Sequence, residues 1–167
     1  MIIRISGIEN DSIVDGPGFR LAVFTQGCPH HCPGCHNPQT HPFDGGRLVD
    51  ADKIIREMED NPLLDGITLS GGEPFCQPEE CAYLAKAAKN LKLNVWTYSG
   101  WTFEELLLKS KETPAIMDLL AHTDVLVDGP FILDKRTLEL RFRGSRNQRL
   151  IDVQASLREM RTVIKPE

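Results

Sequence analysis

Short β-type runs alternate with helical stretches along this chain, and the runs end in turns built from glycine, proline, serine or cysteine. Residues 21–25 lead into Gln26-Gly27-Cys28, and residues 66–70 into Gly71-Gly72-Glu73-Pro74. Residues 94–98 lead into Ser99-Gly100, and residues 124–127 into Asp128-Gly129-Pro130. Between them, Asp50 can cap a helix reaching about residue 59, with Ile54, Ile55 and Met58 on one face. Pro78 suits the first turn of a helix running to about residue 91, and Glu79 and Glu80 complement its positive end. Thr102 and Glu105 have the spacing of a capping box, and residues 114–122 read as a further helix. Strands alternating with helices predict parallel βαβ units. In such sheets the functional groups collect on the loops after the carboxyl ends of the strands, so these four turns are expected on one face. At 167 residues the chain is too short for a complete eight-stranded β/α barrel, which takes about 250. Residues 1–167 are expected to form one domain around one core.

The five cysteines are Cys28, Cys32, Cys35, Cys76 and Cys81, and three of them fall within eight residues. An odd count in a tight cluster does not describe a secreted disulfide framework. It points to a reducing, cytoplasmic setting and to metal or catalytic use, and no secretory leader is read at the amino terminus. Cys28-x3-Cys32-x2-Cys35 lies among prolines and glycines that fold a compact loop able to aim three thiolates at one centre. Thiolates bind iron–sulfur clusters or zinc. A four-iron cluster held by three cysteines keeps one iron open to a substrate. His30, His31, His36 and His41 make a Cys3His zinc site the alternative. Cys76 and Cys81 lack local ligand spacing and read as small buried apolar residues. The net charge of −5 argues against a general nucleic-acid binder, and no apolar run approaches the roughly 20 residues of a membrane span.

Cys28-x3-Cys32-x2-Cys35 followed by Ser70-Gly71-Gly72-Glu73-Pro74 resembles the radical S-adenosylmethionine enzymes. Asp15-Gly16-Pro17-Gly18-Phe19-Arg20 is similar to their glycyl-radical activating branch. The short length, the stretch 95–100, Leu126-Val127-Asp128-Gly129-Pro130-Phe131 and the stretch 143–149 resemble the activators of anaerobic ribonucleoside-triphosphate reductase, with matching blocks from about residue 15 to 153. Many members of the superfamily place an aromatic residue before the third cysteine, where this chain has Gly34. The reductase-activating branch often places one immediately after it, where this chain has His36.

The resemblance implies an α/β fold, an incomplete, open β/α barrel with a mostly parallel sheet whose open side admits a protein substrate. It implies a [4Fe–4S] cluster on Cys28, Cys32 and Cys35, with S-adenosylmethionine on the open iron. Reductive cleavage would yield methionine and a 5′-deoxyadenosyl radical that takes hydrogen from a glycine Cα of the large reductase subunit. A flavodoxin-like protein is the implied one-electron donor. Gly71 and Gly72 are expected to let backbone approach the methionine part closely, and Glu73 to accept a hydrogen bond from its ammonium group. Gly34, Cys35 and His36 are expected on the adenine side, and Asp128 at the ribose or amino group. Asp15 and Arg20 are read either as seating the partner's glycine loop or as a surface ion pair. Arg141, Arg143, Arg146 and Arg149 are read as a cofactor contact, a docking surface or a solvated loop. The rival functions are activation of another glycyl-radical protein, a small-molecule radical enzyme, or a zinc-stabilised binding module.

Overall fold

In the computed structural model, which describes residues 1–166, one seven-stranded sheet runs through the chain in the order β3-β1-β2-β4-β5-β6-β7. The strands are β1 (Ile2–Ser12), β2 (Arg20–Thr25), β3 (Arg47–Asp50), β4 (Gly66–Gly71), β5 (Asn94–Tyr98), β6 (Val125–Asp128) and β7 (Arg149–Asp152). The central strands β2, β4, β5 and β6 are mutually parallel, as the alternation with helices predicts. Strands joined by antiparallel pairing flank them, β1 on β2 and β3 on β1 at one side, and β7 on β6 at the other. No pairing joins β3 to β7, so the sheet stays open. The four parallel strands carry their carboxyl ends to one edge, and the site lies there.

The helices are α1 (Ala51–Asp60), α2 (Pro78–Asn90), α3 (Phe103–Lys109), α4 (Pro114–Ala121) and α5 (Val153–Glu159). Their local signals act as the sequence suggests. The Asp50 carboxylate accepts from Asp52 N, Pro78 opens α2, and Thr102 with Glu105 forms a complete capping box. The main core joins Ile67, Leu69, Val95 and Leu126 of the sheet to Leu84, Leu106 and Leu119 of the helices. Strand side chains alternate between faces. Trp96, Val125, Val127 and Leu150 therefore form a second cluster on the other face, with Tyr98 and Phe142 packed against it. Among the described residues no helix is long and apolar enough to cross a membrane.

Arg20 shows why sequence position alone misleads. It is 1% exposed, so it is neither a surface ion-pair partner nor a contact for another protein. Its Nε donates to Thr68 Oγ1 (2.8 Å), Nη1 to Pro17 O (2.9 Å), and Nη2 to Ile67 O (2.7 Å) and Asn94 Oδ1 (2.9 Å). Thr68 Oγ1 in turn donates to Asp15 O (2.7 Å). The guanidinium thus ties the starts of β2, β4 and β5 together through neutral acceptors. Burial draws its pKa down to about 10, which leaves it charged at neutral pH. A planar fork can serve these divergent acceptors, and an ammonium group cannot. Arg20→Ala should destabilise the fold by about 3 kcal/mol or more, since it orphans several buried acceptors and opens a cavity. Urea unfolding measures this, and Arg20→Lys should recover only a minor part.

Candidate functional site

Four loops meet at the carboxyl edge of the parallel strands around a cavity of about 680 Å3. The loop after β2 brings Cys28, Cys32 and Cys35 to it. The turn after β4 brings Gly71 and Gly72, the loop after β5 brings Ser99 and Gly100, and that after β6 brings Gly129 and Phe131. The expected convergence of the four turns is present. The cysteine loop is pinned at its base, where Gly27 N donates to Thr40 O (2.7 Å) and Cys28 N to His41 O (3.1 Å). A turn from Cys35 N to Cys32 O (3.1 Å) closes it.

Glu73 is the hub beneath this surface. It is fully buried, and both carboxylate oxygens are engaged. Oε1 receives Ser99 Oγ (2.9 Å), Gly100 N (2.8 Å) and His30 Nε2 (2.6 Å), and Oε2 receives Phe75 N (3.1 Å). A carboxylate only accepts, so Nε2 of His30 carries the proton in this contact. Three loops are thereby joined at one carboxylate. The carboxylate expected at the cofactor's ammonium group thus lies behind the cavity wall, where four donors of the chain itself meet it. His30, which does line the cavity, is the residue the sequence reading passed over, since it stood only among zinc-ligand candidates. Its ring lies 4.7 Å edge-on to Trp101, and Lys109 Nζ sits 4.4 Å from the Trp101 ring centroid.

The glycines answer to the chain's own packing. A Cβ on Gly72 would stand 2.5 Å from Gly27 O, and one on Gly71, at φ +93°, would meet Thr25 N at 2.5 Å. Both residues let the β4 turn lie directly on the end of β2, where Gly72 N donates to Thr25 O (2.8 Å) and Glu73 N to Gly27 O (2.9 Å). Close approach of a ligand is not needed to explain them. Gly34, expected on the adenine side, is at φ +75° and lies against Leu133, outside the cavity lining. His36 and Cys35 do line it, and the rings of His36 and Phe131 lie 5.1 Å apart.

Asp128, expected at the ribose or amino group, is likewise engaged by the chain itself. It is 1% exposed and absent from the cavity lining. Its Oδ1 takes Arg149 Nε (3.0 Å) and its Oδ2 takes Arg149 Nη2 (2.5 Å) and Phe103 N (2.7 Å), so it caps α3 and ties β6 to β7. Arg149 also reaches Glu104 (2.6 Å) and holds that carboxyl down at about 2 from an ordinary 4.5. Ser145 and Asn147 bond the backbone of their own loop, at Ile132 N and Pro130 O. Arg143 lines the cavity. Asp15 borders the cavity too, while its Oδ2 accepts from Ser12 Oγ.

The donor set fits a cluster with three protein ligands. Cys28, Cys32 and Cys35 border the cavity, whereas Cys81 is fully buried in the helical core and Cys76, whose thiol burial pushes up to about 12, lies outside the lining. Burial also lifts the Cys28 thiol to about 11. Among the described residues no three histidine, cysteine or acidic side chains are gathered as a single metal ion would require. The chain matches the family described as "4Fe-4S single cluster domain" over residues 14–151. It is 34% identical over 145 residues to the anaerobic ribonucleoside-triphosphate reductase-activating protein of Escherichia coli strain K12, covering 81% of this chain and 90% of that one. The corresponding protein of Vibrio cholerae is also 34% identical, with 81% and 89% covered. The pyruvate formate-lyase-activating enzyme of Clostridium pasteurianum is 35% identical over 130 residues, 72% of this chain and 53% of its own. The family places a [4Fe–4S] cluster in this chain, and the three cysteines at the cavity have the chemistry to hold it.

Two outcomes follow from the carboxylates of Glu73 and Glu104. His30→Ala removes one of the three donors on Glu73 Oε1 and should cost the cluster-free protein about 1–3 kcal/mol in urea unfolding. His30→Gln, which keeps a side-chain N–H, should retain most of that stability. The depressed pKa of Glu104 contributes stability that is complete above pH 4.5 and lost as the pH falls toward 2. Melting temperatures measured between those values should fall less steeply for Glu104→Gln than for the parent.

Proposed function

The chain belongs to the family of anaerobic ribonucleoside-triphosphate reductase-activating proteins, and from that premise we propose that it installs a glycyl radical on such a reductase. It is a radical S-adenosylmethionine enzyme with a [4Fe–4S] cluster. The observation that carries the reading is the convergence of Cys28, Cys32, Cys35 and the Gly71-Gly72 turn on one open cavity.

With the cluster and S-adenosylmethionine bound, the pair supplies reductive carbon–sulfur cleavage and the 5′-deoxyadenosyl radical that takes hydrogen from a glycine Cα. The residues present divide the remaining work among them. Cys28, Cys32 and Cys35 would hold the cluster. The buried Cys28 thiol gives up its proton on ligation, because thiolate is the metal-binding form. The backbone of Gly71 and Gly72 would border the methionine part, and His36 with Phe131 the adenine. Glu73 would act as a positioning residue, fixing His30, Ser99 and Gly100 around the cofactor. Asp128 does the same for the β6 edge through Arg149 and the start of α3. Trp101, packed on His30, helps to exclude water from this wall.

The open sheet supports a protein rather than an enclosed small molecule as the hydrogen donor. The electron is proposed to come from an external flavodoxin-like carrier, a reading supported by the single cysteine cluster, which leaves no internal relay of the same kind. A cytoplasmic setting suits five cysteines that are all free thiols.

The test is anaerobic reconstitution with iron, sulfide, S-adenosylmethionine and reductant, followed by incubation with the reductase. A glycyl-radical signal in electron paramagnetic resonance is expected on the reductase, and its absence beside intact cofactor cleavage overturns the assignment. Cys28→Ala, Cys32→Ala and Cys35→Ala should each lose bound iron, sulfide and 5′-deoxyadenosine formation. Cys76→Ala and Cys81→Ala should keep all three; loss of the cluster in Cys76→Ala would refute the three-cysteine donor set.

A further inference from the structure

Between β6 and β7 the chain leaves the sheet in an arm, residues 131–148, that leans over the mouth of the cavity. It folds back on itself through an antiparallel bridge between Arg136 and Ser145 and through Thr137 N to Gly144 O (3.1 Å) and Arg146 N to Lys135 O (2.9 Å). Its base is anchored: Gln148 Nε2 donates to Gly129 O (3.1 Å), Tyr98 Oη donates to Phe142 O (2.8 Å), and Phe142 packs edge-on against Trp96 at 5.1 Å. The arm is therefore held in place before any partner arrives, which lowers the ordering cost of binding.

Its charge is opposite to that of the rest of the chain. Residues 133–149 hold Lys135, Arg136, Arg141, Arg143, Arg146 and Arg149 against Asp134 and Glu139, in a protein of net charge −5. Arg149 is consumed by Asp128 and Glu104, and Arg143 turns to the cavity. Lys135, Arg136, Arg141 and Arg146 are exposed and make no ion pair among the described residues. At the tip, Leu138 is 95% exposed and lines the cavity mouth together with Leu140. Arg141 stacks over the Phe142 ring at 4.7 Å, which holds it on the arm. An isolated apolar tip flanked by cations with no carboxylate partner, beside the opening that the substrate must enter, has the composition of a protein contact.

We infer that this arm is the docking surface for the protein substrate. Lys135, Arg136, Arg141 and Arg146 grip a carboxylate-bearing face of the reductase beside its reactive glycine, and Leu138 seats on an apolar side chain there. The inference rests on the reading in the preceding subsection. It goes beyond it by assigning the contact and its chemistry.

The test compares two charge-reversal variants of the reconstituted enzyme. R136E/R141E/R146E reverses the arm. K53E/R56E/K86E makes the same net change at exposed cations on α1 and α2. Both should form 5′-deoxyadenosine at the parental rate when the reductase is absent, which also shows that they fold. With the reductase present, the arm variant should form the glycyl radical about tenfold more slowly at low reductase concentration and recover as that concentration rises. The control should match the parent. Raising ionic strength from about 50 to about 300 mM should slow radical formation by the parent without slowing its uncoupled cofactor cleavage. Equal loss in the two variants, or none in the arm variant, overturns the docking surface. A parent that cleaves the cofactor yet leaves no radical on the reductase overturns the underlying assignment and the arm's occupant with it.

Discussion

One buried carboxylate organises the working edge of this protein. Glu73 has no exposed surface and, among the described residues, no arginine or lysine in ion-pair contact, so its desolvation must be offset by hydrogen bonds. Those bonds come from His30 of the cysteine loop, Ser99 and Gly100 of the loop after β5, and Phe75 of its own turn. Each donor belongs to a segment with little regular structure of its own. Meeting at a single acceptor, they fix one another, and the wall of the cavity is the result. The same logic operates one strand further along, where Asp128 joins Arg149 to the first turn of α3.

The parallel heart of the fold was legible because its signals are local. Asn94–Tyr98 is recovered at both ends, and the caps at Asp50, Pro78 and Thr102 start their helices where their chemistry requires. The antiparallel flanks were not. β1 is the longest strand, yet its alternation of Ile3 and Ile5 is broken at Gly7, where the register shifts, and β3 and β7 are four residues each. Such strands are defined by partners far away in sequence, which periodicity does not reveal.

At the site, the cysteines and the glycine turn were readable as a pair of motifs, and they meet at the cavity. The roles of individual residues were harder to read. Glu73 and Asp128 have the chemistry of ligand contacts, and only burial discloses that they hold the wall from behind. Arg20 looks like a surface charge next to Asp15, but its acceptors, Ile67 O and Asn94 Oδ1, are 47 and 74 positions distant. His30 carried no distinguishing mark among four clustered histidines. Its importance comes from a carboxylate 43 positions further on.

The near-contact between Gly72 and the carbonyl of Gly27 leaves no slack between the turn that borders the cavity and the loop that carries the cysteines. The two behave as one rigid jaw. Bulk added on the turn would be transmitted into the cysteine loop through the peptide of Gly27. Attempts to reshape this cavity for altered sulfonium compounds would therefore disturb the cysteine loop at the same time, and the outer rim formed by His36 and Phe131 is the more forgiving place to begin.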